Sequence, residues 1–226
     1  MAKLSAVILA AGNSERMGRT KALLEYRGAT FLSTVCDALR QAGADERIVV
    51  LGRAQREILS AWKPQGEKVS LNPRPEDGQL SSLRSGIESA SKDAAGFMVC
   101  LADQPTIKPD TYKKIIAFWR EHKDAIVIPR CMRDKAKEQP QVPGDSPLTS
   151  CRSSLSTAHS PLPHKRGHPI IIPAIYRHLC FEGPLDKGLH WVTHHPSVKV
   201  LDLTVEDAGI IRDFDTPEQY EEIKGK

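Results

Sequence analysis

The stretch VILAAGNSERMGRTK, Val7 to Lys21, sets an apolar run directly against Gly12 and follows it with a polar loop carrying Arg16, Gly18 and Lys21. Glycine lets backbone N–H groups close on phosphate oxygens, and the two cations add full charge, so these residue types suit a phosphorylated ligand. Five residues separate Gly12 from Gly18 and Arg19-Thr20-Lys21 follows, so the Walker spacing of four residues and then Lys-Ser/Thr is not met. The dinucleotide pattern GxGxxG is absent. In most loops Gly, Arg and Lys are merely solvated; their place directly behind a buried strand lifts this set above that reading.

Carboxylates make a second set. Asp103, in GFMVCLADQP, ends an apolar run, and Pro105 stops any ladder two residues later. A carboxylate at a strand end, opposite a phosphate cradle, can hold Mg²⁺ through one or two oxygens while substrate phosphates supply others. The plainer alternative is an aspartate capping the turn before Pro105. In RDFDTPEQY, Asp213 and Asp215 stand two apart, on one side of an extended segment, and the helix-capping role of Thr216 requires neither. His190 and His194 have the i, i+4 spacing of a zinc pair with His195 adjoining, yet neither HExxH nor a nearby third ligand accompanies them, so metal binding there is the weaker reading.

These groups meet only if the intervening elements bring them together. SAVILAA, RIVVLG, GFMVCLA and AIVIP are short, β-branched and apolar on both faces, as strands covered on each side by helices must be. TFLSTVCDALRQAG, QLSSLRSGIESA and PDTYKKIIAFWREH lie between them, each amphipathic at a period near 3.6. The alternation predicts one α/β domain over 1–226, a single doubly wound, mostly parallel sheet of Rossmann-like kind. In such sheets ligands bind beyond the carboxyl ends of the strands, so Gly12 and Asp103 are expected to face one crevice. GHPIIIPAIY, VKVLDL and a closing helix in TPEQYEEIK, with Pro217 at its first position, complete the pattern. Residues 131–166, rich in Pro, Ser and Lys and without a hydrophobic period, are expected to form a flexible insert.

Composition narrows the partners. Thirty-two Lys and Arg against 28 Asp and Glu give a formal charge of only +4, which argues against nucleic acid while suiting small anions. Cysteines at 36, 100, 131, 151 and 180 form no CxxC pair and are odd in number, as in a reduced cytoplasmic protein. No window approaches the roughly 18 apolar residues of a membrane span, and the apolar start reads as a first buried strand.

The blocks in series resemble a family. LAAGNSERMGRTKALL is similar to the LAAGxSxRMGxxKxLL signature of the MobA-like nucleotidyltransferases, and LADQP to that of their molybdenum cofactor cytidylyltransferase branch. NPRPEDGQLSSLRSG, RGHPIII and DFDTPEQY resemble further blocks of that branch in the expected order, so the resemblance spans nearly the whole chain. It implies a Mg²⁺-dependent transfer of CMP from CTP to a molybdopterin-type phosphorylated acceptor, with release of pyrophosphate. It implies that Leu9, Ala10, Ala11 and Gly12 bind base and ribose, that Arg16 and Lys21 serve the triphosphate, and that Asn72, Gly78 and Ser82 close over the nucleoside. Asp103 would bind metal together with Asp213 or Asp215, and Gly167, His168 and Pro169 would lie near the acceptor; a molybdoenzyme or its maturation factor would be a protein partner. Use of GTP, a sugar or polyol phosphate as acceptor, and a non-catalytic pterin accessory protein are the alternatives. The branch's GDxGAR stretch is altered here: Asp186 and Gly188 remain, but Leu189-His190 replace Ala-Arg, which puts the acceptor's identity in question.

Overall fold

The computed structural model describes residues 2–12, 17–132 and 164–224. In chain order the elements are β1 (Lys3–Ala10), β2 (Glu25–Tyr26), β3 (Ala29–Thr30), α1 (Phe31–Ala42), β4 (Glu46–Leu51), α2 (Gln55–Ala61), β5 (Lys68–Leu71), α3 (Gln79–Ser89), β6 (Ala94–Leu101) and α4 (Pro109–Glu121). They continue with β7 (Ile126–Met132), β8 (His164–Arg166), β9 (Ile170–Pro173), α5 (Arg177–Glu182), α6 (Gly188–Thr193), β10 (Val200–Thr204) and α7 (Pro217–Glu221). Among the described residues, eight strands form one sheet in the order β10-β7-β9-β6-β1-β4-β5, with β8 added on β7, and β2 and β3 form a separate hairpin.

The expected mostly parallel α/β sheet is present: β6, β1, β4 and β5 run parallel, as do β7 and β10. The strand β9, from the GHPIIIP stretch, runs antiparallel to both β6 and β7, so the sheet is mixed. An apolar run such as Ile170–Pro173 is buried on both faces whichever way it points, and direction therefore leaves no mark on its pattern.

Alternation along β1 sends Leu4, Ala6 and Ile8 to a core shared with Leu32, Val35 and Leu39 of α1 and Ile115 and Trp119 of α4. Val7 faces the other way, toward Leu83 and Ile87 of α3, Leu179 of α5 and Val192 of α6. Helix α1 starts where the Thr30 side chain accepts from the Ser33 N–H and ends at Gly43, which takes the left-handed conformation of a C-cap. In α3, Gly86 lets the helix lie against β1, since a methyl group there would overlap Val7 Cγ1.

A smaller cluster has a direct bearing on the site. Met17, Leu24, Phe31, Phe214, Tyr220 and Ile223 pack together, Phe31 meeting Phe214 edge-on at 5.7 Å, and the Tyr220 hydroxyl donates to the Glu25 carbonyl. This cluster ties the C-terminal segment to the loop after β1. Thr216 and Gln219 form a capping box with Pro217 at the first helical position, which starts α7 where the sequence predicts.

The ends of the expected insert belong to the sheet: Cys131 and Met132 finish β7, and His164–Arg166 pair with that strand antiparallel. The segment between, 133–163, lies outside the described residues. AIVIPR and GHP adjoin, for the Gly167 N–H donates to the Pro129 carbonyl at 2.9 Å. Among the described residues no helix is long and apolar enough to cross a membrane.

Candidate active site

Strand register pairs Leu9 of β1 with Leu101 of β6, so Gly12 and Asp103 leave neighbouring strands at the same sheet edge. Beyond that edge is a cavity of about 350 Å³ lined by Leu9, Ala10, Ala11, Gly12, Lys21, Gly78, Ser82 and Asp103 of the expected set. Thr20, Ala22, Pro75, Gln79, Leu101 and Ala102 complete its wall. The crevice expected between the glycine loop and the aspartate strand is therefore this one.

Lys21 is its electrostatic centre. Its Nζ donates to Asp103 Oδ2 at 3.2 Å and to Asp215 Oδ1. Burial works against the ammonium charge, but the two carboxylates outweigh it and raise the Lys21 pKa above its usual value. For Asp103 burial dominates and raises its pKa; Lys21 offsets part of this, and the nearby Asp213 charge adds to the rise. Both members of the pair move upward because the lysine serves two carboxylates while Asp103 shares one lysine and faces a like charge.

The DFD segment is oriented by its middle residue. Phe214 is fully buried, which turns Asp213 and Asp215 to the opposite side. Asp215 reaches Lys21, whereas Asp213 accepts from Gln104 Nε2 at 2.7 Å. Gln104, 2 % exposed, was not singled out from the sequence, although it stands within LADQP beside Asp103. Its Nε2 also approaches the Ile210 carbonyl at 3.5 Å, the same oxygen that accepts from the His168 N–H at 2.9 Å.

Opposite Lys21, α3 presents its N-terminus. Gly78 precedes it with φ +90°, a conformation that favours glycine, and no side chain caps the helix. With Gln79 and Ser82 of the first turn in the wall, the positive end of the helix faces the cavity, a setting that favours phosphate.

Asn72 is placed differently from expectation. It is buried outside the cavity wall, its amide donating to Ser81 Oγ at 2.8 Å and Ser82 Oγ at 3.0 Å and accepting from the Arg74 N–H. Its amide holds the turn before α3 and orients Ser82, which does line the cavity. Arg16 lies outside the described residues.

A second cavity, of about 230 Å³, adjoins the first, and Gln79 lines both. Gly167 and His168 line it together with His190 and His194, while Pro169 is buried and outside the lining. Burial depresses the His168 pKa to about 4 against the pull of Asp213, so its ring is neutral at pH 7. The His190 and His194 rings stack face to face at 3.8 Å and 12°. Among the described residues no group of three or more His, Cys, Asp or Glu side chains is placed to hold a metal by itself.

Comparison with known proteins agrees with this architecture. Residues 6–195 match the model of the MobA-like NTP transferase domain. The nicotine blue oxidoreductase of Paenarthrobacter nicotinovorans is 26% identical over 76% of this chain and 71% of its own length. The probable molybdenum cofactor guanylyltransferase of Rhodopirellula baltica is 32% identical, covering 67% and 71%. The molybdenum cofactor cytidylyltransferase of Escherichia coli is 24% identical across 97% of this chain and 95% of its own. Among solved structures, Rv0371c of Mycobacterium tuberculosis superposes with a TM-score of 0.76 at 27% identity, covering 100% of this chain and 98% of that one. The names of these relatives span transferase and oxidoreductase chemistry, so function has to be argued from the site. With the domain match running from β1 through α6, well over half of the chain, this protein belongs to the MobA-like NTP transferase family.

Proposed function

We propose that this protein transfers CMP from CTP to a molybdopterin-type phosphorylated acceptor and releases pyrophosphate. The observation that carries the reading is Lys21, held between Asp103 and Asp215 at the mouth of a cavity walled by the β1 loop and the N-terminus of α3. A lysine, a helix N-terminus and loop backbone converge where a triphosphate would bring its charge.

In the reaction an acceptor phosphate oxygen bonds to the α-phosphorus while the bond from that phosphorus to the bridging oxygen breaks. A phosphate monoester has its second pKa near 6, so the nucleophile is largely ionised at pH 7 and needs no strong base. The neutral His168 fits that requirement, acting by hydrogen bonding rather than proton removal. Catalysis then rests on positioning and charge neutralisation, the work of Lys21 and the backbone of Leu9 to Gly12. Arg16, on the same loop, would add a second cation.

The donor set suits Mg²⁺: Asp103, Asp213 and Asp215 offer hard carboxylate oxygens beside the phosphate position, and substrate phosphates would supply the rest of a shell that no trio among the described residues provides. Bound there, the ion would neutralise charge on the triphosphate and the leaving pyrophosphate. Asp103 is the first ligand in this reading, and Asp215, already beside Lys21, is favoured over Asp213, whose Oδ1 is engaged by Gln104.

Support for CTP comes from the near full-length match to a cytidylyltransferase and from Ala11 in the LAAG loop; the guanylyltransferase among the relatives keeps GTP as the second reading. Pyrophosphate release measured with CTP, GTP, ATP and UTP against phosphorylated pterin and sugar acceptors tests it. The expected result is release with CTP and the pterin acceptor; release only with GTP, or only with sugar phosphates, contradicts it.

A further inference from the structure

We propose that Gln104 is a positioning residue: its amide pins the DFD segment through Asp213 and thereby keeps Asp215 beside Asp103, where the two can share a divalent cation. The inference rests on the nucleotidyl-transfer reading and names the residue that organises the metal side of that site.

The direction of the amide is fixed by its neighbours. Nε2 lies 2.7 Å from Asp213 Oδ1 and 3.5 Å from the Ile210 carbonyl oxygen, and since a carboxylate and a carbonyl can only accept, the nitrogen has to face them. The anchor point is itself held, because the same carbonyl accepts from the His168 N–H at 2.9 Å. Asp213 is exposed, whereas Gln104 is 2 % exposed. An exposed carboxylate turns freely to water unless a donor restrains it, and here the donor reaches out of the core one residue beyond Asp103.

The segment is thus fastened at three successive residues: Asp213 by Gln104, Phe214 by its aromatic cluster and Asp215 by Lys21, which also holds Asp103. Asp213 also stands near enough for its charge to raise the Asp103 pKa. A neutral amide restrains this like charge without adding a cation that would repel the metal.

A second observation points away from a purely structural role. Gln104 Oε1 is buried and has no hydrogen-bond partner among the described residues. A position filled for stability alone would take an apolar side chain of this length rather than leave a carbonyl oxygen unpaired. Neither partner of Nε2 would be orphaned by its loss, for Asp213 is open to water and the Ile210 carbonyl keeps the His168 N–H. What the amide supplies is placement.

The test uses the full chain with the non-hydrolysable α,β-methylene analogue of CTP and follows bound Mn²⁺ by electron paramagnetic resonance. Gln104→Met keeps length and burial but removes the donor. It is expected to bind Mn²⁺ about tenfold more weakly, the scale found for outer partners of metal ligands, and to melt no lower than the wild type. Asp213→Ala is expected to lose a similar factor, and the double variant no more than Asp213→Ala alone, because Gln104 acts through that carboxylate. Mn²⁺ affinity of Gln104→Met within about twofold of the wild type, or losses that multiply in the double variant, would overturn the inference and leave the metal site standing. A far larger loss in Asp213→Ala would make that carboxylate a ligand itself, and a melting temperature of Gln104→Met well below the wild type's would make Gln104 a structural residue; either overturns the inference. Failure of the wild type to bind Mn²⁺ with the CTP and GTP analogues alike would overturn the metal-site reading on which it rests.

Discussion

Gly52 stands directly behind Ala11: a methyl group added at residue 52 would fall 2.6 Å from the Ala11 carbonyl oxygen and 3.1 Å from its Cα and Cβ. Gly52 follows β4, the parallel neighbour of β1, so the loop that would read the base is fixed from the rear by an adjacent strand end. Gly52→Ala must push Ala11 toward the cavity. A displacement of this kind is expected to raise KM for the nucleotide roughly tenfold or more, with a smaller effect on melting temperature. Unaltered nucleotide KM in the folded variant would show that the Ala11 loop does not touch the nucleotide.

Ala11 carries a second expectation. Its side chain is 5 % exposed and lies in the cavity wall, so Ala11→Gly opens space and backbone freedom where a larger base would sit. The wild type should prefer CTP to GTP in kcat/KM, and Ala11→Gly should narrow that preference by about 1–3 kcal/mol without reversing it. Side-by-side kinetics with CTP, GTP and ATP check both statements; a wild-type preference for GTP refutes the cytidylyl assignment.

Asp103 should show a trade between activity and stability. Asp103→Asn is expected to reduce kcat by roughly 10²-fold or more at ordinary Mg²⁺ while the fold survives. Near-normal kcat would remove Asp103 from the metal site. Because burial raises the folded pKa above the unfolded 3.8, the carboxyl's contribution to stability is fully present below the unfolded value and is lost as pH rises through the folded one. At pH 7 the asparagine variant should therefore unfold at a higher temperature than the wild type, with the difference shrinking as pH falls toward 3.8. The acid limb of wild-type activity should also lie above that value.

Glu46 has the opposite sign. It accepts from Ser5 Oγ, from the Ser91 N–H and hydroxyl, and from Lys68 at 2.6 Å, which joins β1, β4, β5 and the turn before β6. Burial opposes the charge, but these donors prevail and lower its pKa to about 2. Its contribution is present above the unfolded 4.5 and lost as pH falls through about 2. Glu46→Gln should cost about 2 kcal/mol at pH 7 by denaturant unfolding, and the deficit should shrink below pH 4.5. A deficit independent of pH would mean that packing rather than charge is at stake.

The parallel core was legible because β1, β4, β6 and β7 are apolar on both faces and α1, α3 and α4 are apolar on one. The direction of β9 was not, since burial on both faces hides polarity of the chain. Lys21, Asp103 and Asp215 could be named as candidates, but their meeting could not be seen, with 82 and 194 positions between the lysine and its partners. The packing of Met17, Phe31, Phe214 and Tyr220 closes that distance, and no local pattern announces it. The placement of Asn72 was not legible for a physical reason: an amide beside a helix start can face a cavity or brace the turn itself, and here it bonds Ser81, Ser82 and Arg74. Gly52 carries no signature, since its importance is purely spatial.

The central claim, transfer of a nucleotidyl group, is tested most directly by following phosphorus. With CTP labelled in parallel samples at the α- or the γ-phosphorus, a phosphopterin acceptor and Mg²⁺, the α-label should move onto the acceptor, joined through its phosphate, while the γ-label appears in pyrophosphate. Label remaining in free nucleotide, or γ-label arriving on the acceptor, would contradict nucleotidyl transfer by this protein.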